Sequence, residues 1–322
     1  MKTEHITLEA TAAALLKTDN ILLLSHQYPD GDTIGCAAGL CIALQNLGKR
    51  VRIACNDPFP SKYNYMTAPI KEQDFEPQFI CAVDVADSKL LGPRMQQYAD
   101  KVDLCIDHHG TNVEYAKMLL LDAGCGAATM IIYQLLPHLG VELTAEIATC
   151  LYTGMVTDTG CFKYGNTSPL THRMAASCIE AGAPYAMINR VMFDTKSRVR
   201  IELERMALQG ISFHFNGKCA VMAITNEMVK KSGAREDDME GLPPIPRQIE
   251  GVWVGVTLRE QTDGSFKVSM RTGEHANAAE LCKLLGGGGH AAAAGCRVEL
   301  PLKEATDMLV TLIGENVQGI KE

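Results

Sequence analysis

The chain has 322 residues, of which 30 are Lys or Arg and 38 are Asp or Glu, for a formal net charge of −8. Hydrophobic residues make up 47% and charged residues 21%, which suits a soluble folded protein of about two domains and argues against extended disorder. The acidity weakens the case for a long nucleic-acid groove, since backbone-tracking proteins carry a basic stripe, but a small anionic substrate held through bound cations stays open.

The N-terminal segment MKTEHITLEA is interrupted by Glu4 and Glu9, so no export sequence is visible, and the apolar stretches fall short of the ~18 residues of a membrane helix. These features predict a cytoplasmic chain without membrane contact. Short apolar runs at 21–24, 51–55, 79–83 and 104–106 read as buried strands, and the Ala- and Leu-rich segments 33–47 and 127–136 between them read as helices. The alternation predicts an α/β fold with an open, mostly parallel sheet and flanking helices over 1–182. Residues 183–210 are charged and periodic and predict one linker helix. Asn216-Gly217 and Asp263-Gly264, each between apolar runs, predict hairpins in a smaller α+β domain over 211–322. The proline cluster at 242–246 reads as a loop or extended segment, and the 12 dispersed cysteines, without a C-x-x-C pair, as small reduced core residues.

The chemistry-bearing residues follow the strands. Directly after the first run come His26, Asp30 and Asp32; FICAV runs into Asp84; LCI runs into Asp107, His108 and His109. The C-terminal edge of a parallel sheet is where ligands bind, and consecutive ionisable groups leaving a buried strand need partners. Asp158 ends a long uncharged stretch. Taken singly, PDGD is a common turn, DHH a surface turn and Asp158 a helix-end cap. Together the four segments supply two imidazoles and four carboxylates, a set that suits two hard or borderline divalent ions sharing one carboxylate.

The segments SHQYPDGD, AVDVAD, CIDHHGTN and VTDTGCFKYGNT resemble, in order and spacing, the successive motifs of the DHH phosphoesterase superfamily. SMRT followed by GGGGHAAAAG resembles the DHH-associated C-terminal substrate domain of the oligoribonuclease and pAp-phosphatase group. The resemblance implies that His26 and Asp30 bind one metal, that Asp32, His108 and Asp158 bind the other, and that Asp84 bridges them, with manganese as the usual ion. It implies that His109 faces the substrate phosphate and that Asp107 orients a ligand histidine. In the C-terminal domain, Gly287, Gly288 and Gly289 let backbone N–H groups approach a phosphate or nucleotide, Arg271 offers a bidentate fork and His290 reaches the ligand. A packing role for the glycines is the competing reading.

The expected substrates are short oligonucleotides, dinucleotides or 3′-phosphoadenosine 5′-phosphate (pAp), with no long duplex as partner and a homodimer left open. Alternatives are a cyclic or linear dinucleotide phosphodiesterase acting on c-di-AMP or pApA, a manganese pyrophosphatase, whose partner domain lacks a GGGH signature, and a non-catalytic nucleotide sensor. Cys36 and Cys161 depart from the family pattern, and a thiolate near an electropositive site is expected to be oxidation-sensitive.

Overall fold

Runs such as Ile21–Leu24 and Phe79–Val83 offer no polar face, so they require cover on both sides of a sheet. In the computed structural model, which describes residues 2–239 and 241–321, every residue of both runs is buried. The chain divides into two units, Met1–Thr195 and Lys196–Glu322.

In the first unit the elements are β1 (Glu4–His5), α1 (Leu8–Lys17), β2 (Ile21–Leu24), α2 (Gly31–Asn46), β3 (Val51–Ala54), α3 (Asn64–Thr67) and β4 (Phe79–Val83). They continue with β5 (Leu104–Asp107), β6 (Met118–Leu121), α4 (Ala128–Leu139), α5 (Ala145–Asp158), α6 (Pro169–Glu180) and α7 (Tyr185–Asn189). The sheet order is β1-β6-β5-β4-β2-β3, and its five pairings are parallel. Because β3 lies on one side of β2 and β4 on the other, the strand order reverses between β2 and β4, which opens a crevice at their C-terminal ends. One face of the sheet packs on helices through Leu15, Ile34, Leu40, Ile131 and Leu151, and the other, with Leu22, Leu24 and Ile80, is covered by the 3-10 turns Ser88–Leu91 and Gln96–Lys101 through Leu91 and Ala99.

The segment expected as one linker helix is broken. The helix α7 passes into a wide π-helical turn, Arg190–Asp194, and Thr195 is extended. Ser197 then accepts the N–H of Arg200 at 2.9 Å and starts a new helix, α8 (Arg198–Gln209). A side-chain cap of this kind begins a helix rather than continuing one, a signal that charge periodicity passes over.

The second unit continues with β7 (Ser212–His214), β8 (Cys219–Ile224), α9 (Asn226–Ser232), β9 (Val254–Glu260), β10 (Phe266–Thr272), α10 (Ala278–Lys283), β11 (Gly288–His290), β12 (Ala293–Val298) and α11 (Leu302–Asn316). Its sheet order is β11-β12-β10-β9-β8-β7, antiparallel except for β8 with β9. Both expected hairpins are present: Asn216 and Gly217 take φ of 54° and 86°, and the Gln261 N–H bonds the Ser265 carbonyl at 2.7 Å to close the second. Val256, Leu258, Val268 and Met270 meet α10 and α11 on one face, and Met222 and Ile224 meet Leu203 and Ala207 on the other. The proline segment forms a short 3-10 turn at Ile245–Gln248. Among the described residues no helix is long and apolar enough to cross a membrane.

Candidate active site

Three adjacent parallel strands of the first unit end side by side, β5, β4 and β2, and each hands an ionisable group to the crevice. His26 lies two residues beyond β2, Asp84 directly follows β4, and Asp107 closes β5 ahead of His108 and His109. Asp30 caps α2, its Oδ1 accepting the N–H groups of Asp32 and Thr33 at 3.1 Å each, so the PDGD turn is also the start of a helix. Asp158 is the last residue of α5. The six residues expected as metal ligands therefore converge from four stretches of chain.

They fall into two sets. His26 Nε2 lies 3.7 Å from Asp30 Oδ1 and 3.8 Å from Asp84 Oδ2. His108 Nε2 lies 3.4 Å from Asp158 Oδ2, 3.9 Å from Asp32 Oδ2 and 3.6 Å from Asp84 Oδ1. Asp84 thus turns one oxygen to each set. Both histidines have Nδ1 next to a backbone carbonyl, Gln27 at 2.7 Å and Cys125 at 3.1 Å. With Nδ1–H donating there, the Nε2 lone pairs face the carboxylates, as they do in histidines that ligate metals. These separations are too long for hydrogen bonds and suit atoms that share a cation. His26 with Asp30 and Asp84, and Asp32 with His108 and Asp158, each bring three ligand atoms within 4.8 Å of one another.

The electrostatics agree. Asp32 and Asp84 are almost fully buried, at 1% and 3% exposure. Burial, then the charges of Asp32, Asp30, Asp158 and Asp107, hold the Asp84 carboxyl well above the usual carboxylate range, and its Oδ1 has no hydrogen-bond partner among the described residues. Burial followed by Asp32 and Asp30 pushes Asp158 up to about 9. Asp84 is also held in the left-handed conformation, φ 58°, at a cost of about 1–3 kcal/mol that persists only where surroundings enforce it. Carboxylates crowded in this way need compensating positive charge, and the mixed oxygen and nitrogen donor set fits a divalent cation.

Asp107 is fully buried, and the histidine it orients is His109 rather than the ligand candidate His108. Asp107 Oδ1 bonds His109 Nδ1 at 2.8 Å and the backbone N–H of His108 at 2.8 Å, and Oδ2 accepts from Asn112 Nδ2 at 2.7 Å. Against the cost of burial, the bonds from His109 and Asn112 keep Asp107 below its usual value; the bond to Asp107 in turn raises His109. Asn112 and Thr129 do not stand out in the sequence. Asn112 follows DHH closely enough to be a candidate, whereas Thr129 gives no signal. Thr129 Oγ1 donates to Asp32 Oδ1 at 2.7 Å, and Asp32 also accepts the N–H groups of Ala128 and Thr129 at 2.5 and 3.0 Å. The N-cap position of α4 is Ala127, which has no capping side chain, so Asp32 serves that helix from outside.

Without bound cations a thiolate at Cys36 is disfavoured. The residue is fully buried, and burial, then Asp32, Asp84, Asp30 and Asp158, push its thiol well above the ordinary value.

In the second unit, Arg271 and His290 share a register row: His290 pairs with Ala293, Ala293 with Arg271, and Arg271 with Gly255. Gly288, Gly289 and His290 form the exposed edge strand β11, and Arg271 donates from Nη1 to the Met270 carbonyl at 3.0 Å. The glycine run divides between the two readings. A Cβ at Gly287 would lie 2.2 Å from the Gly295 carbonyl and one at Gly289 2.6 Å from that of Ala293, so these two serve packing, while Gly288 faces open space. Arg247, which no sequence motif marks, lies across Gly255, and its guanidinium lies against Gly273. Gly255 is the register partner of Arg271.

Two family models match the chain: the DHH family, N-terminal domain, over residues 20–155, and the DHHA1 domain over residues 216–318. The chain is 32% identical over 303 residues to the bifunctional oligoribonuclease and PAP phosphatase NrnA of Thermus thermophilus, covering 92% of this chain and 90% of that one. Its fold is similar to the crystal structure of an exopolyphosphatase-related protein from Bacteroides fragilis, with a TM-score of 0.87 at 24% identity, covering 98% of this chain and 97% of that one. A lower fold similarity, TM-score 0.58 at 14% identity, relates it to RecJ of Thermus thermophilus in complex with Mn2+, covering 94% of this chain and 54% of that one.

Proposed function

We propose a function for a chain that belongs to the DHH family, with a DHHA1 domain after its DHH domain: hydrolysis of short oligonucleotides to mononucleotides and of pAp to AMP. The chain is a metal-dependent hydrolase. The relative from Thermus thermophilus carries both activities in its name, and the acidic crevice supports the same chemistry here. The observation that carries the reading is Asp84, buried at 3% exposure, with Oδ2 toward His26 and Oδ1 toward His108.

In this reading His26 and Asp30 would hold one divalent ion, Asp32, His108 and Asp158 would hold a second, and Asp84 would serve both; Mn2+ suits the donor set. Such ions, when bound, polarise the phosphoryl group and lower the pKa of the attacking water. The protein's own part is orientation and charge. Asp107 keeps a proton on His109, which donates to a phosphoryl oxygen, and Asn112 fixes Asp107. Arg271, Gly288 and His290 form the substrate-binding set of the second unit, with the guanidinium as a bidentate phosphate fork, while Gly287 and Gly289 shape the edge strand that carries them. The DHH match, residues 20–155, lies in the first unit and the DHHA1 match, residues 216–318, in the second.

The test is a substrate panel with Mn2+ containing pAp, pApA, an RNA 5-mer, c-di-AMP and pyrophosphate. Release of mononucleotides from pApA and the 5-mer, with AMP from pAp, is expected. Turnover confined to c-di-AMP or to pyrophosphate overturns the proposal.

A further inference from the structure

Two exposed tyrosines, Tyr28 and Tyr164, lie in the same chain segments as carboxylates of the cluster, Asp30 and Asp158. Tyr28, 75% exposed, lies between His26 and Asp30. Its backbone is left-handed, φ 57°, a conformation rarely adopted by bulky side chains, and its N–H is anchored on the Asp57 carboxylate at 3.0 Å.

Tyr164, 58% exposed, is placed by a run of three left-handed residues, Gly160, Cys161 and Phe162, at φ 56°, 58° and 63°. That turn brings the N–H groups of Lys163 and Tyr164 back to the Thr159 carbonyl, 3.0 Å each, next to Asp158. The tyrosine ring then rests on Gly160. A Cβ at that glycine would lie 2.3 Å from the ring Cζ and 2.5 Å from Cε1 and Cε2, so no other residue leaves space for it. Backbone covers one side of the ring, and the exposed remainder is open to a ligand. The segments carrying the two tyrosines touch, because Gly31, next to Asp30, packs on Thr157, next to Asp158.

A single exposed aromatic residue calls for no explanation. Two of them, each held out by a left-handed segment and each within six residues of a carboxylate of the cluster, suggest a specific ligand. Aromatic rings flanking a phosphate site suit nucleobases, whose π-faces stack whatever the base. We propose that Tyr28 and Tyr164 are stacking platforms for the nucleobases attached to the scissile phosphate, so that the site selects nucleotide esters over phosphoesters without a base. This rests on the phosphoesterase reading above and adds the element that recognises the base.

The experiment compares kcat and KM with Mn2+ for a diadenylate and for the same phosphodiester without bases, using the wild-type protein and the variants Tyr28→Ala, Tyr164→Ala, Tyr28→Phe and Tyr164→Phe. The wild type should prefer the base-bearing substrate. Each alanine variant should lose about 10- to 100-fold in kcat/KM on it, mainly through KM, with abasic turnover unchanged. The phenylalanine variants should retain activity, because the ring and not the hydroxyl stacks. Equal wild-type rates on both substrates, or equal losses on both in the alanine variants, overturn the proposal; the wild-type comparison needs no variant to fold. Absence of turnover on both substrates would instead refute the phosphoesterase reading.

Discussion

The two units carry their candidate residues in opposite surroundings. In the first, Asp32, Asp84 and Asp107 are all at 3% exposure or less, and the Asp84 Oδ1 has no hydrogen-bond partner among the described residues. In the second, Gly288, Gly289 and His290 are exposed on an edge strand. Buried charge is costly, so an unpaired buried carboxylate points to a missing partner with physical force. An exposed histidine costs nothing and points to nothing by itself. The first unit's function can thus be argued from energy, while the second's depends on recognising a motif, and substitutions should separate the two.

The sharpest separation is Asp84→Asn. Removing the carboxylate shared by both sets should cut turnover by about 100- to 1000-fold or more and release bound manganese, measured by steady-state assay and elemental analysis. The same change replaces a buried carboxyl that burial makes costly to ionise, so in chelator the variant should be more stable than the wild type by about 1–3 kcal/mol, measured by denaturant melts. Wild-type activity in the folded variant would remove Asp84 from the metal set.

Arg271→Lys and His290→Ala probe the other side. Each should lower kcat/KM by about 10- to 100-fold through KM, the worth of a hydrogen bond to a charged group, while manganese content stays at the wild-type level. Metal loss in either variant would collapse the distinction between a metal-holding and a nucleotide-holding unit.

Much of the first unit is legible in the order of its residues. The strands ILLL and FICAV admit little but burial, and each is followed within two residues by an ionisable one, His26 or Asp84, so the gathering of these groups at one sheet edge follows from parallel pairing. What the sequence hides depends on contacts distant along the chain. Thr129 bonds an aspartate 97 residues away, Asp107 chooses His109 over His108 through the geometry of its turn, and Arg247 packs across Gly255, the register partner of Arg271. The break in the expected linker helix turns on one serine side chain. Nothing in the sequence marks positions 161 and 162 as left-handed, since Cys and Phe disfavour that region.

The crowding of carboxylates also predicts a pH signature confined to the first unit. Asp158 rises from an ordinary 3.8 to about 9, chiefly by burial. A carboxyl with a raised folded pKa binds its proton more tightly when folded. The stability it confers is therefore complete below about pH 4 and is lost as pH rises toward about 9. Chelator-treated protein should melt at progressively lower temperature across that window, and Mn2+ should restore the melting temperature most at the alkaline end. Asp158→Asn should flatten the slope. A chelator-treated protein that instead gains stability from pH 5 to 8 would show that the cluster is not strained by its own charge.

The smallest effect is expected at Cys36, where proximity to the metal set would invite a large one. Its Sγ lies 3.9 Å from Asp32 Oδ1, so a reactive thiolate there would threaten the metal set with oxidation. Burial and four carboxylates oppose that charge, and a protonated, inaccessible thiol is inert. Cys36→Ser should therefore keep turnover near the wild-type level and change stability by about 1 kcal/mol or less. Mass mapping of iodoacetamide adducts on chelator-treated protein should find the half-buried Cys55 and Cys161 labelled well before Cys36. Repeating the mapping with Mn2+ isolates the field: bound cations favour the thiolate but leave Cys36 buried, so any gain in its labelling should be small. Rapid modification of Cys36 in the folded, chelator-treated protein would mean that this side of the crevice is open to solvent, and buried charge would then no longer distinguish the first unit from the second.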